Sequence, residues 1–128
     1  MVKRRCNFTI LVIDVPVDLY ILRHGDAEPL GLESQDDAER SLTSEGLEIM
    51  TRAGQGMRRM GITLDVLFSS PKKRARQTAQ IVHEELSLVA PITFSESIAT
   101  GCWEELLVQV DSVITHLNKQ NVGAGVMI

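Results

Sequence analysis

Short apolar runs alternate with longer amphipathic segments along this chain, and this alternation constrains the fold more than any other feature. The apolar runs are Leu19–Leu22, Leu64–Phe68, Pro91–Phe94 and Gly123–Ile128. Between them, apolar residues recur at helical spacing over about 44–60, 72–86 and 103–119. Strands that are separated by helices pair in parallel, so the sequence predicts an α/β fold. We expect a three-layer sandwich with a mostly parallel sheet covered by helices.

Local signals place the ends and the buried sides of these elements. Thr43 or Ser44 is the expected N-cap of the first helix, and Gly61 is expected to end it. Met50 and Met57 lie on one face of this helix and are expected in the core. The first strand, Leu19–Leu22, is expected to be buried because it is too apolar to alternate.

Composition excludes several classes of protein. The 128 residues suffice for one domain, and the net charge of −4 argues against a nucleic-acid binder. No apolar run approaches the roughly 20 residues that span a bilayer. Cys6 and Cys102 cannot form a disulfide framework, and no Cys/His spacing resembles a zinc site. These features predict a cytoplasmic protein without a metal.

The first 17 residues differ from the rest and are interpreted as an extension of unknown role. The β-prone run Phe8–Ile13, closed by Pro16, fits either an extra edge strand or a non-native leader. The functional domain is therefore expected to span residues 18–128.

The tripeptide Arg23-His24-Gly25 directly follows the first apolar run. The carboxyl ends of parallel strands open on the crevice where α/β folds bind ligands. Arginine there is a fork for phosphate oxygens, histidine is a nucleophile for phosphorus, and glycine allows a sharp turn close to a ligand. The tripeptide alone favours a strand end with a solvated arginine and a partly buried histidine, so a functional interpretation depends on the other motifs.

A second strand end, Ser69-Ser70-Pro71, is followed by cations at the start of a predicted helix: Lys72, Lys73, Arg74 and Arg76. The helix dipole disfavours each such cation by about 0.3–1 kcal/mol. A phosphate at the helix start, bound by Arg74, would remove this conflict. Lys72 and Lys73 are expected to extend into solvent instead.

Three motifs occur together in these contexts: Leu22-Arg23-His24-Gly25, Ser41-Leu42-Thr43-x-x-Gly46, and Ser69-Ser70-Pro71-x-x-Arg74-Ala75-x-Gln77-Thr78-Ala79. Their combination resembles the histidine phosphatase (phosphoglycerate-mutase-like) superfamily. The short Gly25-Asp26-Ala27 loop and the lack of a large insertion are similar to its small SixA-type phosphohistidine phosphatases. The resemblance covers about Asp18 to Ile128 and implies a phosphoglycerate mutase-like fold.

The resemblance implies roles for four residues. His24 would accept the phosphoryl group, Arg23 and Arg74 would clamp the phosphate, and Arg40 would add a further phosphate contact. Arg40 equally fits a loop residue paired to a neighbouring acid. Phosphoryl transfer needs a neutral His24 with one ring nitrogen facing phosphorus while the other donates to a carbonyl or an acid. No metal or cofactor is implied.

Carboxylates that could act as a general acid follow the third strand. Glu104 and Glu105 are expected to be first-turn acids that complement a helix dipole, whereas the role of Glu96 stays open. The family pattern also has a second histidine after the fourth strand, which is due just past Ile128. His83 and His116 do not fit that place, and both are expected at the surface or its boundary.

The missing histidine leads to the interpretation that the sequence is a truncated or frame-shifted reading of an enzyme, or a fragment. The domain would then be incomplete at its carboxyl end, and an uncovered strand edge would favour association of copies.

The leading hypothesis is a phosphohistidine phosphatase that acts through a phosphorylated His24 on a signalling protein. One alternative is a phosphomonoesterase for small phosphate esters. The other is a non-catalytic phosphate-binding module that keeps Arg23, Arg40 and Arg74. No nucleic acid or membrane is expected as a partner.

Overall fold

The computed structural model describes residues 17–31, 35–118 and 124–128. Its elements in chain order are β1 (Val17–Tyr20), a 3-10 helix (Asp37–Glu39), α1 (Ser44–Arg59), β2 (Val66–Ser69), α2 (Lys73–Glu85), β3 (Ile92–Phe94), α3 (Glu96–Thr100), α4 (Trp103–Asn118) and β4 (Ala124–Met127). Strands and helices alternate as the sequence predicts. Residues 1–16, with their β-prone run, lie outside the described residues.

The four described strands form one parallel sheet in the order β1-β4-β2-β3. β4 lies between β1 and β2, and Val126 is in register with Leu19 on one side and Val66 on the other. Helices α1 and α2 pack together on one face, while α4 packs on the other. The predicted α/β sandwich with a parallel sheet between helices is confirmed.

Two apolar cores lie on the two faces of the sheet because neighbouring residues of a strand point to opposite sides. Leu67 of β2 packs with Ala79 and Val82 of α2. Phe68, the next residue of β2, packs with Leu106 and Val110 of α4. Val82 and Leu106 are almost wholly inaccessible. Both faces of β2 are therefore covered, as expected for a central parallel strand.

The prediction that the first strand is buried is wrong. Among the described strands, β1 lies at the edge of the sheet and pairs with β4, and Leu19 and Ile21 are 51% and 77% exposed. Tyr20 and Leu22 face the other way and pack against the first core. The exposure of Leu19 and Ile21 follows from the position of β1 in the sheet, because the described helices cover only one side of β1. Leu22 still extends the pairing, since its N–H donates to the carbonyl of Ile128 at 3.0 Å.

Helix α1 begins as predicted. Thr43 is its N-cap, and the Thr43 hydroxyl accepts from the N–H of Gly46 at 2.8 Å. Met50 is buried and Met57 is half-buried against the first core, which confirms the expected face. The short helix α3 was not predicted from the sequence. None of the helices within the described ranges is both long and apolar enough to cross a membrane.

Candidate active site

His24 and Arg74 come together at the carboxyl edge of the sheet. His24 follows β1, and Arg74 lies in the first turn of α2, directly after β2. The Nε of Arg74 is 3.3 Å from Nε2 of His24 although 50 positions separate the residues. The predicted convergence of the two motifs is confirmed.

The hydrogen bonds of His24 fix its protonation pattern. Nδ1 lies 2.7 Å from the carbonyl oxygen of Gly25, which can only accept. Nε2 faces the guanidinium of Arg74, which can only donate. Both contacts are satisfied by the neutral ring that carries its proton on Nδ1. In this tautomer Nε2 carries no proton, and its lone pair accepts from the guanidinium of Arg74.

Arg74 is a buried cation, and each of its three side-chain nitrogens has a hydrogen-bond partner. Its side chain is 9% exposed. Besides the contact with His24, its Nη1 donates to the backbone carbonyl of Asp37 at 2.7 Å and its Nη2 to Oδ2 of Asp37 at 3.2 Å. A buried charge is tolerated when it is paired in this way.

Asp37 binds three cations, and these four residues are called the Asp37 cluster: Asp37, Arg40, Lys72 and Arg74. One carboxylate oxygen accepts from Nε and Nη2 of Arg40, both at 3.0 Å. The other accepts from Lys72 at 3.2 Å and from Arg74 at 3.2 Å. Hydrogen bonds from Lys72, and then from Arg74, lower the pKa of Asp37 from 3.8 to about 2.

The Asp37 cluster changes two expectations. Lys72 pairs with Asp37, so the prediction that Lys72 extends into solvent is wrong. The carboxylate of Asp37 also supplies an anion beside the crowded start of α2, where the sequence predicted a phosphate. Arg40 is paired to a neighbouring acid, and its Nη1 donates to the carbonyl of Glu28 at 3.1 Å. A phosphate contact by Arg40 stays a prediction.

Gln77 and Thr78 of α2 anchor the two loops that carry the site, a role that the sequence did not reveal. The side-chain oxygen of Gln77 accepts from the N–H of Leu42 at 2.8 Å. The hydroxyl of Thr78 accepts from the N–H of Gly25 at 3.1 Å and donates to the carbonyl of Arg74 at 2.8 Å. These residues follow Arg74 by three and four positions, so all three lie on one side of α2.

Gly25 is needed for packing. Its φ is outside the positive region, whereas a Cβ at this position would lie 2.6 Å from Cγ of Met50. Gly46, the glycine of the second motif, faces the backbone of Asp26 so closely that a Cβ would overlap it. The loop after β1 thus lies directly on the first turns of α1.

Two cavities meet at Arg23 and His24. One, of about 440 Å³, is lined by Arg23, His24, Gly25, Asp26, Ala27 and Arg40. The other, of about 270 Å³, is lined by Arg74, Ser70 and a mainly apolar wall that includes Phe68. Arg23 is exposed and lines both cavities. Arg40 therefore lines the first cavity and Arg74 the second, while Arg23 and His24 line both.

The candidate general acids lie elsewhere. Glu105 accepts from the hydroxyl of Ser97 at 3.2 Å, and Glu96 and Glu104 are exposed in the first turns of their helices. None of the three lines either cavity at His24.

The other two histidines lie at the boundary and at the surface, as expected. His83 is half-buried, with Nε2 2.8 Å from the carbonyl of Ala90, and His116 is exposed. Within the described part of the chain, no three His, Cys, Asp or Glu side chains gather in a way that could hold a metal ion.

The imidazole of His24, the buried guanidinium of Arg74 and the exposed Arg23 thus lie together at the carboxyl edge of the parallel sheet. The family model of the histidine phosphatase superfamily (branch 1) matches residues 19–121. The chain belongs to this superfamily.

Comparison with individual proteins agrees with this assignment. The 2,3-bisphosphoglycerate-dependent phosphoglycerate mutase of Nautilia profundicola is 36% identical over 112 residues, which are 84% of this chain and 44% of the mutase. The protein histidine phosphatase SixA, solved in complex with tungstate, is 23% identical with a TM-score of 0.63, over 86% of this chain and 67% of that one. The putative phosphohistidine phosphatase SixA from Agrobacterium tumefaciens is 18% identical with a TM-score of 0.67, over 88% of this chain and 68% of that one.

The two solved structures show that the fold is shared. The chain spans about two fifths of the length of the curated relatives that it matches, 39% and 44%.

Proposed function

We propose that this chain is a phosphohistidine phosphatase, with His24 as the nucleophile that accepts the phosphoryl group. The observation that carries the proposal is the position of Nε2 of His24, 3.3 Å from Nε of Arg74, while Nδ1 is bound to the Gly25 carbonyl. The ring is held in the tautomer that leaves Nε2 free of a proton. Phosphorus entering between Nε2 and the arginines would meet a nucleophile and the charges that neutralise its oxygens.

In the proposed step, Nε2 of His24 attacks phosphorus and the bond from phosphorus to the leaving group breaks. Arg23 and Arg74 would bind the equatorial oxygens, where negative charge is concentrated in the transition state. Water then attacks the phosphorylated His24, which releases inorganic phosphate and restores the ring. Each arginine would contribute a charge-assisted hydrogen bond, worth about 1.5–3 kcal/mol.

The leaving group favours a phosphohistidine substrate. An alkoxide leaving group benefits from a general acid, whereas an imidazole leaves readily without one. The three glutamates considered for this role do not line the cavities at His24. The two SixA structures named above are those of a protein histidine phosphatase and of a putative phosphohistidine phosphatase, which supports this choice. We therefore propose a phosphorylated histidine on a signalling protein as the substrate, and action in the cytoplasm without a metal.

A small phosphate ester is the second candidate substrate, and the relative from Nautilia profundicola favours it because its name is that of a mutase of a small acid phosphate. The two candidates are separated by rates on a phosphorylated histidine-containing domain and on a panel of sugar and acid phosphates. If the sugar and acid phosphates are hydrolysed faster than the phosphorylated histidine, small phosphate esters become the proposed substrates. A fall in the rate of hydrolysis on addition of EDTA would contradict the proposal that the reaction needs no metal.

The decisive experiment traps labelled phosphate on the protein after rapid acid-free quenching. We expect label on the native chain and on His116→Ala, which removes an exposed histidine, but none on His24→Ala. Label that persists in His24→Ala would remove the proposed nucleophile. Binding of inorganic phosphate without any trapped label would favour the non-catalytic phosphate-binding module.

Arg74 is tested by its affinity for inorganic phosphate. Arg74→Ala should weaken binding by about 1.5–3 kcal/mol, the value of a charge-assisted contact. Arg76→Ala is the matched control, because it removes the same charge from an exposed position of α2. An equal loss in both variants would show that only the net charge matters.

A further inference from the structure

We infer that Asp37 is a positioning residue that holds the guanidinium of Arg74 by one edge and so presents the other edge to a phosphoryl group at His24. This inference rests on the proposed function, because it assigns Asp37 a part in the same phosphoryl transfer. It concerns an acid in the loop after β1 that no motif of the sequence contains.

The contacts of Arg74 divide its planar guanidinium into two edges. Nη1 and Nη2 form the end of the fork, and both donate to Asp37, one to its backbone carbonyl and one to its carboxylate. Nε lies on the other edge and faces Nε2 of His24. The second N–H of Nη2 points along this same edge, because the five N–H groups have a fixed planar geometry. Nε–H and this N–H of Nη2 are therefore two parallel donors on the side of His24, and they can bind two phosphate oxygens once phosphate replaces the contact between Nε and Nε2.

Asp37 is itself held in place by the rest of the Asp37 cluster. Arg40 donates to one of its carboxylate oxygens through two nitrogens, and Lys72 donates to the other. Arg40 is fixed in turn by the carbonyl of Glu28. A chain of charge-assisted contacts thus runs from the loop to the nucleophile, and Asp37 is the link to Arg74.

The negative charge of Asp37 makes the inference easy to test, because a repelling charge and a positioning residue predict opposite changes in phosphate affinity when the carboxylate is removed. A carboxylate near an anion site repels phosphate, so removing it should strengthen binding if only charge mattered. If Asp37 instead positions Arg74, removing the carboxylate should weaken binding in spite of the favourable change in charge. Lost orientation of one charge-assisted contact corresponds to about a tenfold to hundredfold weaker affinity.

The test compares Asp37→Asn with Glu39→Gln, measured on the full chain. Glu39 lies in the same 3-10 turn and is exposed, so its variant reports the effect of one removed negative charge. The first measurement is the 15N resonance of Nε2 of His24 without any anion. We expect it to move in Asp37→Asn toward its position in Arg74→Ala, and to stay unchanged in Glu39→Gln.

The second measurement is the dissociation constant for inorganic phosphate by calorimetry. We expect at least tenfold weaker binding in Asp37→Asn, and equal or slightly tighter binding in Glu39→Gln. A circular dichroism spectrum and melting curve like those of the native chain would show that the fold is retained.

An unchanged His24 resonance in Asp37→Asn, with a changed one in Arg74→Ala, would overturn the inference. Tighter phosphate binding in Asp37→Asn would overturn it as well, since Asp37 would then act as a repelling charge. Failure of the proposed function would give a different result. No label would then be trapped at His24, but the 15N resonance of Nε2 would still move in Asp37→Asn.

Discussion

The substitution Thr78→Val tests whether α2 holds the nucleophile loop through a single hydroxyl. Thr78 is 4% exposed, and its hydroxyl is the acceptor for the buried N–H of Gly25. Valine keeps the shape of the side chain but cannot accept a hydrogen bond. The Gly25 N–H would then be buried without a partner, which costs about 1–3 kcal/mol. The carbonyl of Arg74 also loses one donor, but it keeps its backbone bond within the helix.

The expected net loss in the free energy of unfolding is about 1–2 kcal/mol, because the added methyl group offsets part of the cost. With an m value near 2 kcal/mol/M, the urea midpoint should fall by about 0.5–1 M while m stays constant. Label at His24 should fall too, since the carbonyl of Gly25 that binds Nδ1 belongs to the released segment.

Thr51→Val is the matched control for this measurement. The hydroxyl of Thr51 donates to the carbonyl four residues earlier, at Leu47, in the same way as that of Thr78 does at Arg74. Its bond is exposed and joins residues of one helix. We expect Thr51→Val to change the free energy of unfolding by less than about 0.5 kcal/mol. Equal effects of the two variants would refute the anchoring role of Thr78.

Two further substitutions and a pH dependence follow from the geometry. Gly46→Ala should destabilise the chain by about 1–3 kcal/mol, because the added Cβ would overlap the backbone of Asp26. Gly56→Ala in the same helix should stabilise the chain by about 0.5–1 kcal/mol, because its Cβ would meet nothing within 4 Å. Both changes are measured by urea unfolding. The pKa of Asp37, lowered by Lys72 and its other cationic partners to about 2 from 3.8, means that its stabilising effect is present above about pH 4 and is lost as the pH falls toward 2. The melting temperature of the native chain should therefore fall more steeply over this range than that of Asp37→Asn, and parallel curves would contradict the assigned pKa.

The sequence predicted the order of the four strands and the three longer helices, α1, α2 and α4, because each of them carries its own local signal. The N-cap Thr43 is one of the two residues predicted for it, and α4 starts at Trp103, about where it was predicted. The meeting of His24 and Arg74 followed from one rule, that carboxyl ends of parallel strands share an edge.

Other features depend on the assembled molecule and have no signature in the chain. The exposure of Leu19 follows from the place of β1 at the edge of the sheet, which the order of strands along the sequence does not give. Asp37 stands in a loop with several other acids, and no periodic pattern separates it from Asp36 or Glu39. The sequence indicated that Gly25 is important. The side chain that requires a glycine there is Met50, which belongs to a helix further along the chain.

One helix, α2, supplies the guanidinium at His24 and both side-chain acceptors that fix the loops bearing Gly25 and Leu42. The two acceptors are neighbours in the chain, so the loops share a common rigid support. Deuterium should therefore replace the amide protons of Gly25 and Leu42 at closely similar rates, governed by a single opening event. Warming would release the two segments together, and the site would lose its order as one cooperative unit.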